Sequence, residues 1–222
     1  MAVVPAGPPV GPTFFTAGDP GLCEFTCELE DRIARLFPEF VDGSAAAHLA
    51  LVPDRLTGRG LRFAAGYRPT KNEAVALYFG RVVVDCPLGD FVLALPSFRR
   101  AHRTWLPFVD AGPQCRDPDP VPINAALCNH SCHDSTVLLR QPPELRDCAL
   151  PCAVAYAKPG VAAGARVLWD YDGGARSGSG AFTVDLAGRV ELLQAGFDSV
   201  PCACRRALPC PRARWFRVFP AP

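Results

Sequence analysis

An excess of charge of either sign is missing from this sequence. Its 222 residues carry 23 Lys plus Arg against 22 Asp plus Glu, a formal net charge of +1. That balance gives no electrostatic case for nucleic acid as a direct partner. Long apolar runs are missing too. None reaches the ~18 residues that a membrane-spanning helix needs, so no membrane partner is expected. The start, Met1-Ala2-Val3-Val4-Pro5, lacks a basic n-region and prolines interrupt the residues after it, so secretion is not expected. Internal repeats are absent. No Ser-His-Asp order, paired acid–base carboxylates or phosphate-cradling glycine loop stands out, which ranks hydrolases and kinases low.

What is present is apolar. Hydrophobic residues make up 49% of the chain and charged residues 20%, which predicts a packed core rather than disorder. The length suits one sizeable domain with an extension. The 11 cysteines are many and odd in number. Without a secretory signal the expected setting is reducing, so metal ligation for some and burial for others is preferred to a disulfide framework.

Residues 1–18 are rich in Pro and Gly and are read as loose. Asp19-Pro20 predicts a helix start, with Asp19 as N-cap. Phe25, Leu29, Ile33 and Leu36 follow at helical spacing until Pro38, which ends the helix. Cys23 and Cys27 are four apart; a metal pair there needs two ligands from elsewhere, so burial is the expectation. From about residue 46 the texture becomes short strands and turns. His48–Val52, Leu61–Phe63, Ala74–Phe79, Arg81–Val84, Phe91–Leu95, Thr136–Leu139, Cys152–Tyr156 and Arg166–Trp169 read as strands, with Gly58-Arg59-Gly60 as a turn. Residues 96–122, with many prolines and several aromatics, read as an insert with a short helix near His102–Phe108. Gly173-Gly174 and Ser177–Gly180 mark a flexible boundary, after which Phe182–Leu186 and Val190–Leu193 suit a small hairpin.

Three constellations carry chemistry. Asn129-His130-Ser131-Cys132 forms one polar tetrapeptide. Trp169-Asp170-Tyr171 ends a buried strand. Cys202, Cys204 and Cys210 follow with the spacing C-x-C-x5-C. The last group offers three soft ligands from one short loop, while a tetrahedral structural zinc needs a fourth from elsewhere. Arg205, Arg206, Arg212 and Arg214 around it would offset thiolate charge. Upstream, the two glycines of Gly58-Arg59-Gly60 let backbone approach a ligand closely.

In this order, these motifs resemble the SET domain of protein lysine methyltransferases with its post-SET zinc module. The resemblance implies a mainly β fold, the SET β-clip of several small sheets with a knot-like C-terminal turn, an N-terminal helix and a zinc-binding post-SET module. It implies an N-terminal extension over 1–45, a SET catalytic domain over 46–175 with an insert at about 96–122, and a linker and post-SET module over 176–222. S-adenosylmethionine (SAM) would bind at Gly58, Arg59, Gly60, Asn129, His130 and Tyr171. Tyr171 would be the catalytic tyrosine and Tyr78 its partner, with Trp169, Tyr78 and Trp215 lining the lysine channel. Cys132 would join Cys202, Cys204 and Cys210 on a structural zinc. Tyr67 and Tyr156 are read as structural.

The chain departs from the family at Arg81, at Ala126-Leu127-Cys128 and His133-Asp134-Ser135 around the tetrapeptide, and at Ala165-Arg166, which stand where two glutamates are usual. The usual post-SET spacing has one residue fewer. The implied function is SAM-dependent lysine methylation of a protein, by default a histone tail in the nucleus, with the cytoplasm as the other location. The departures keep open a SET-like module without catalysis that serves as a protein-interaction scaffold on chromatin. A small zinc protein of another kind is a third reading.

Overall fold

The structure is a computed structural model and describes residues 12–54, 58–84, 92–95, 98–100, 103–105, 107–117, 122–131 and 133–170. The chain enters as β1 (Phe15–Ala17), then Asp19 caps a single 3-10 turn, its carboxylate accepting from Gly21 N at 2.7 Å. Helix α1 (Cys23–Leu36) follows and buries Phe25, Thr26, Leu29 and Ile33. Phe37, which precedes a proline and is barred from helical geometry, separates it from the single turn α2 (Pro38–Val41). Residues four apart drift slowly around a helix, whereas residues two away from Phe25 lie ~200° round it. Cys23 and Cys27 are such residues. Both are exposed and free, contrary to the expected burial. Leu36 is likewise exposed.

Next come β2 (Leu49–Asp54) and β3 (Gly58–Phe63), an antiparallel hairpin in the register Val52↔Gly60, Pro53↔Arg59 and Asp54↔Gly58. Gly58-Arg59-Gly60 is therefore strand, not the turn its glycines suggested. Pairing with β2 gives its backbone groups ladder partners, which outweighs the poor strand propensity of glycine. Gly58 keeps a left-handed φ of +78° where the hairpin closes.

β4 (Ala74–Tyr78) and β5 (Gly80–Val83) are followed by β6 (Val92–Ala94), β7 (Phe98–Arg100), β8 (Arg103–Trp105) and β9 (Phe108–Asp110). The helix expected near His102–Phe108 is absent; strands β8 and β9 take its place. Aromatic residues favour strands, and Pro107 bars a helix there. β9 is no surface insertion, since it lies between β5 and β6 in one sheet. Helix α3 (Gly112–Arg116) follows. The last strands are β10 (Asn129–His130), β11 (Val137–Arg140), β12 (Ala153–Ala157) and β13 (Leu168–Trp169).

The described strands form small sheets: β1-β5-β9-β6, β11-β12-β4, and the pairs β2-β3, β7-β8 and β10-β13. Few helices accompany them, in keeping with the mainly β fold expected. β1 runs parallel to β5, so residues 15–17 are built into a sheet rather than loose. Glu30 of α1 accepts the Phe15 N–H and fastens β1 to the helix. Phe14 packs edge-on against Phe79 at 5.3 Å. One core joins α1, β1, β3 to β5 and β12, through Leu22, Leu29, Ile33, Phe63, Leu77 and Val154 among others. Among the described residues, no helix is long and apolar enough to cross a membrane.

Candidate functional site

Asn129 and Arg59, 70 residues apart, meet directly. The Asn129 Nδ2 donates to the Arg59 carbonyl at 3.1 Å. Gly60 makes this approach possible, because a Cβ built on it would overlap that same Nδ2. Backbone groups alternate in direction along a strand, and Leu61 O and Phe63 N point away from β2, so the Arg59 carbonyl, two residues before Leu61, points away from β2 as well. The Arg59 carbonyl thus faces Asn129 and not β2. At Gly58, a Cβ would meet nothing among the described residues within 4 Å.

Local chemistry delivers Asn129 to this place. Asn124 is fully buried and caps a 3-10 turn over Ala125–Leu127 by accepting from Ala126 N at 2.9 Å. Its Nδ2 donates to Phe79 O at 2.7 Å. The end of β4, which carries the buried Tyr78, is thereby tied to the segment leading into β10.

β10 then pairs in parallel with β13, in the register Asn129↔Leu168 and His130↔Trp169. Ser131 N donates to Trp169 O at 3.0 Å, and Ser131 Oγ accepts from Asp134 N at 3.0 Å. Thr136 closes the bracket. Its N donates to Leu168 O at 2.8 Å, its Oγ1 donates to Arg166 O at 2.8 Å and accepts from Leu168 N at 2.9 Å. Asn129 is 8% exposed and His130 0%, so the His130 ring is enclosed in this conformation.

The segment before β13 also pairs with β3. Val167 N donates to Leu61 O at 2.8 Å and Phe63 N to Ala165 O at 2.9 Å. Arg166 forms an ion pair with Asp54 of β2. Gly58–Gly60, Tyr78, Asn129-His130 and Trp169 are thus carried on elements joined by direct hydrogen bonds. Tyr171, Trp215, Cys132, Cys202, Cys204 and Cys210 lie outside the described residues, as does the expected hairpin after residue 180. Among the described residues, no group of three or more His, Cys, Asp or Glu side chains is placed to hold a metal.

Charges around the site are few and held. Burial pushes the Cys128 thiol, adjacent to Asn129, far up and out of reach of ionisation. Lys158 donates from Nζ to Ser135 Oγ; burial lowers its pKa, opposed by Asp170. Burial raises the Tyr156 phenol to about 12, and Arg140 lies 4.4 Å over its ring. Tyr67 donates to Glu73 and stacks on His48 at 3.9 Å, a packing role like that expected. Sequence reasoning missed Asn124, Asp54 and Thr136. For Asn124 a signal existed, an Asn just ahead of Ala-Ala-Leu, which is a capping pattern.

No family model and no curated protein matches the sequence. Among solved structures, the crystal structure of CpSET8 from Cryptosporidium is similar, with 18% identity and a TM-score of 0.38. The likeness covers 55% of this chain and 56% of that one. It supplies no residue roles.

Proposed function

We propose that the protein is a SAM-dependent protein-lysine N-methyltransferase of the SET type. The observation that supports this best is the junction of Asn129 with the Gly58–Gly60 strand. It couples two motifs that the SET resemblance assigns to one methyl-donor pocket, across 70 residues of chain. The residues present fit such a donor. Open backbone at Gly58 lets a flat or zwitterionic ligand approach, and Asn129, whose Nδ2 is engaged, offers its Oδ1 to an ammonium group.

Bound SAM supplies an electrophilic methyl carbon on a cationic sulfur. The lysine amine must be neutral to attack, since an ammonium has no lone pair. A neighbouring cation and an apolar channel both disfavour the ammonium form, so the proton leaves to solvent first. Tyr78 and Tyr171 would contribute hydroxyl contacts, and aromatic walls including Trp169 and Trp215 would aim the amine at that methyl carbon. Trp169 is larger than a Phe or Tyr and would crowd a methylated amine, so low methylation states are expected; efficient trimethylation would place Trp169 outside the channel. Zinc on Cys132, Cys202, Cys204 and Cys210 would order the tail that closes the site. The default substrate is a histone tail in the nucleus.

The test is transfer of labelled methyl from SAM to histones or nucleosomes. Wild-type protein should label them. Tyr171→Phe should lose activity on the order of 10², and Asn129→Ala should weaken SAM binding about tenfold. Transfer unaffected by both changes would reject the site assignment. SAM binding without transfer to any protein would favour the scaffold reading, to which Ala165-Arg166 lends weight.

A further inference from the structure

The middle residue of Gly58-Arg59-Gly60 does more than connect two glycines. Its guanidinium donates from one terminal nitrogen to the Cys115 carbonyl and from the other to the Asp117 carbonyl. These carbonyls belong to the last turn and C-cap of α3, 56 and 58 residues away in sequence. Carbonyls at a helix end have no intrahelical donor, and a cation there is favourable. The Cys115 thiol senses the same guanidinium: burial pushes it up to about 12, and Arg59 pulls against that rise.

Arg59 is therefore held from two sides, α3 through its side chain and Asn129 through its carbonyl. Its backbone points away from β2, so the pair it forms with Pro53 carries no ladder bond. At the point where β3 meets Asn129, the guanidinium fork adds a hold on the strand from α3.

We infer that the Arg59 side chain is a positioning residue of the methyl-donor site, clamping the C-terminal carbonyls of α3 so that the Arg59 carbonyl stands where Asn129 can bond it. The role rests on the proposed function only for its consequence on SAM; the clamp itself concerns this chain alone. A planar fork serves two carbonyls at once, and a lysine ammonium on a flexible stem does not replace it.

The experiment compares wild type, Arg59→Lys and Arg59→Met, with Arg62→Met on the exposed side of the same strand as control. Hydrogen exchange of peptides covering 58–61 and 114–117 is measured without ligand, and SAM affinity by calorimetry. Both Arg59 variants should exchange about tenfold faster in both peptides and bind SAM about tenfold more weakly. Arg62→Met should change neither. Adding Asn129→Ala to Arg59→Met should cost much less than the two separate losses combined, because both act on one bond. If Arg59→Met does not fold, Arg59→Lys carries the test. Wild-type exchange in Arg59→Lys, or fully additive losses of SAM affinity, would overturn the inference. Should wild type bind no SAM, the proposed function fails, and the clamp is then judged on exchange alone.

Discussion

Gly60 decides how Asn129 reaches the strand beside it. It lacks the side chain that would block the amide. Gly60→Ala should therefore displace Asn129. We expect a loss of about 1–3 kcal/mol in unfolding free energy together with weakened SAM binding, read by denaturant titration and calorimetry. Asn129 itself was legible because the tetrapeptide is distinctive. Its acceptor was not, since hydrogen bonds across 70 residues leave no local trace. Cys23 and Cys27 show the opposite failure. Their chemistry suggested burial, yet the phase of Phe25, Leu29 and Ile33 was enough to turn them outward.

At the scale of elements, strands with long apolar runs were found nearly in place, because burial on both faces writes itself into sequence. β12 is an example, buried along Ala153–Ala157. The strand nature of Gly58–Gly60 and of β8 and β9 was hidden, because partner strands create it. Two contacts between elements can be tested. Asp54 and Arg166 join β2 to the approach of β13, with side chains 9% and 23% exposed. Removing one partner strands the other, so Asp54→Asn or Arg166→Met alone should cost up to about 3 kcal/mol, and the double variant clearly less than the sum. Unfolding curves of the three variants check this.

Glu30, which fastens β1 to α1, gives a pH dependence. Burial raises its pKa above the ordinary 4.5, against the opposing Phe15 and Phe14 N–H groups. A raised carboxyl binds its proton more tightly folded than unfolded, so its contribution is complete below about 4.5 and is lost as pH rises through the folded value. Glu30→Gln keeps an acceptor for Phe15 and should remove that part of the decline. Its melting temperature should exceed that of wild type at pH 7, with the gap closing toward pH 4.

For the whole molecule, the small sheets share a core with α1, so the N-terminal helix is part of the body that carries the site. Leu29→Ala, at the centre of that contact, should cost about 2–5 kcal/mol. The proposed zinc module should appear as one zinc per chain by elemental analysis. Its removal by a chelator should weaken SAM binding, and Cys204→Ser should do the same. The order of motifs along the chain made this reading possible, while the meeting of Arg59, Asn129 and α3 emerges only from the folded chain. The central claim is that β3 and Asn129 build a pocket for a sulfonium methyl donor. Calorimetric titration of SAM into wild type and Asn129→Ala tests it most directly. Saturable one-to-one binding by wild type, weakened about tenfold in the variant, is the predicted result. Equal affinity of the two proteins, or no binding by a folded wild type, would contradict it.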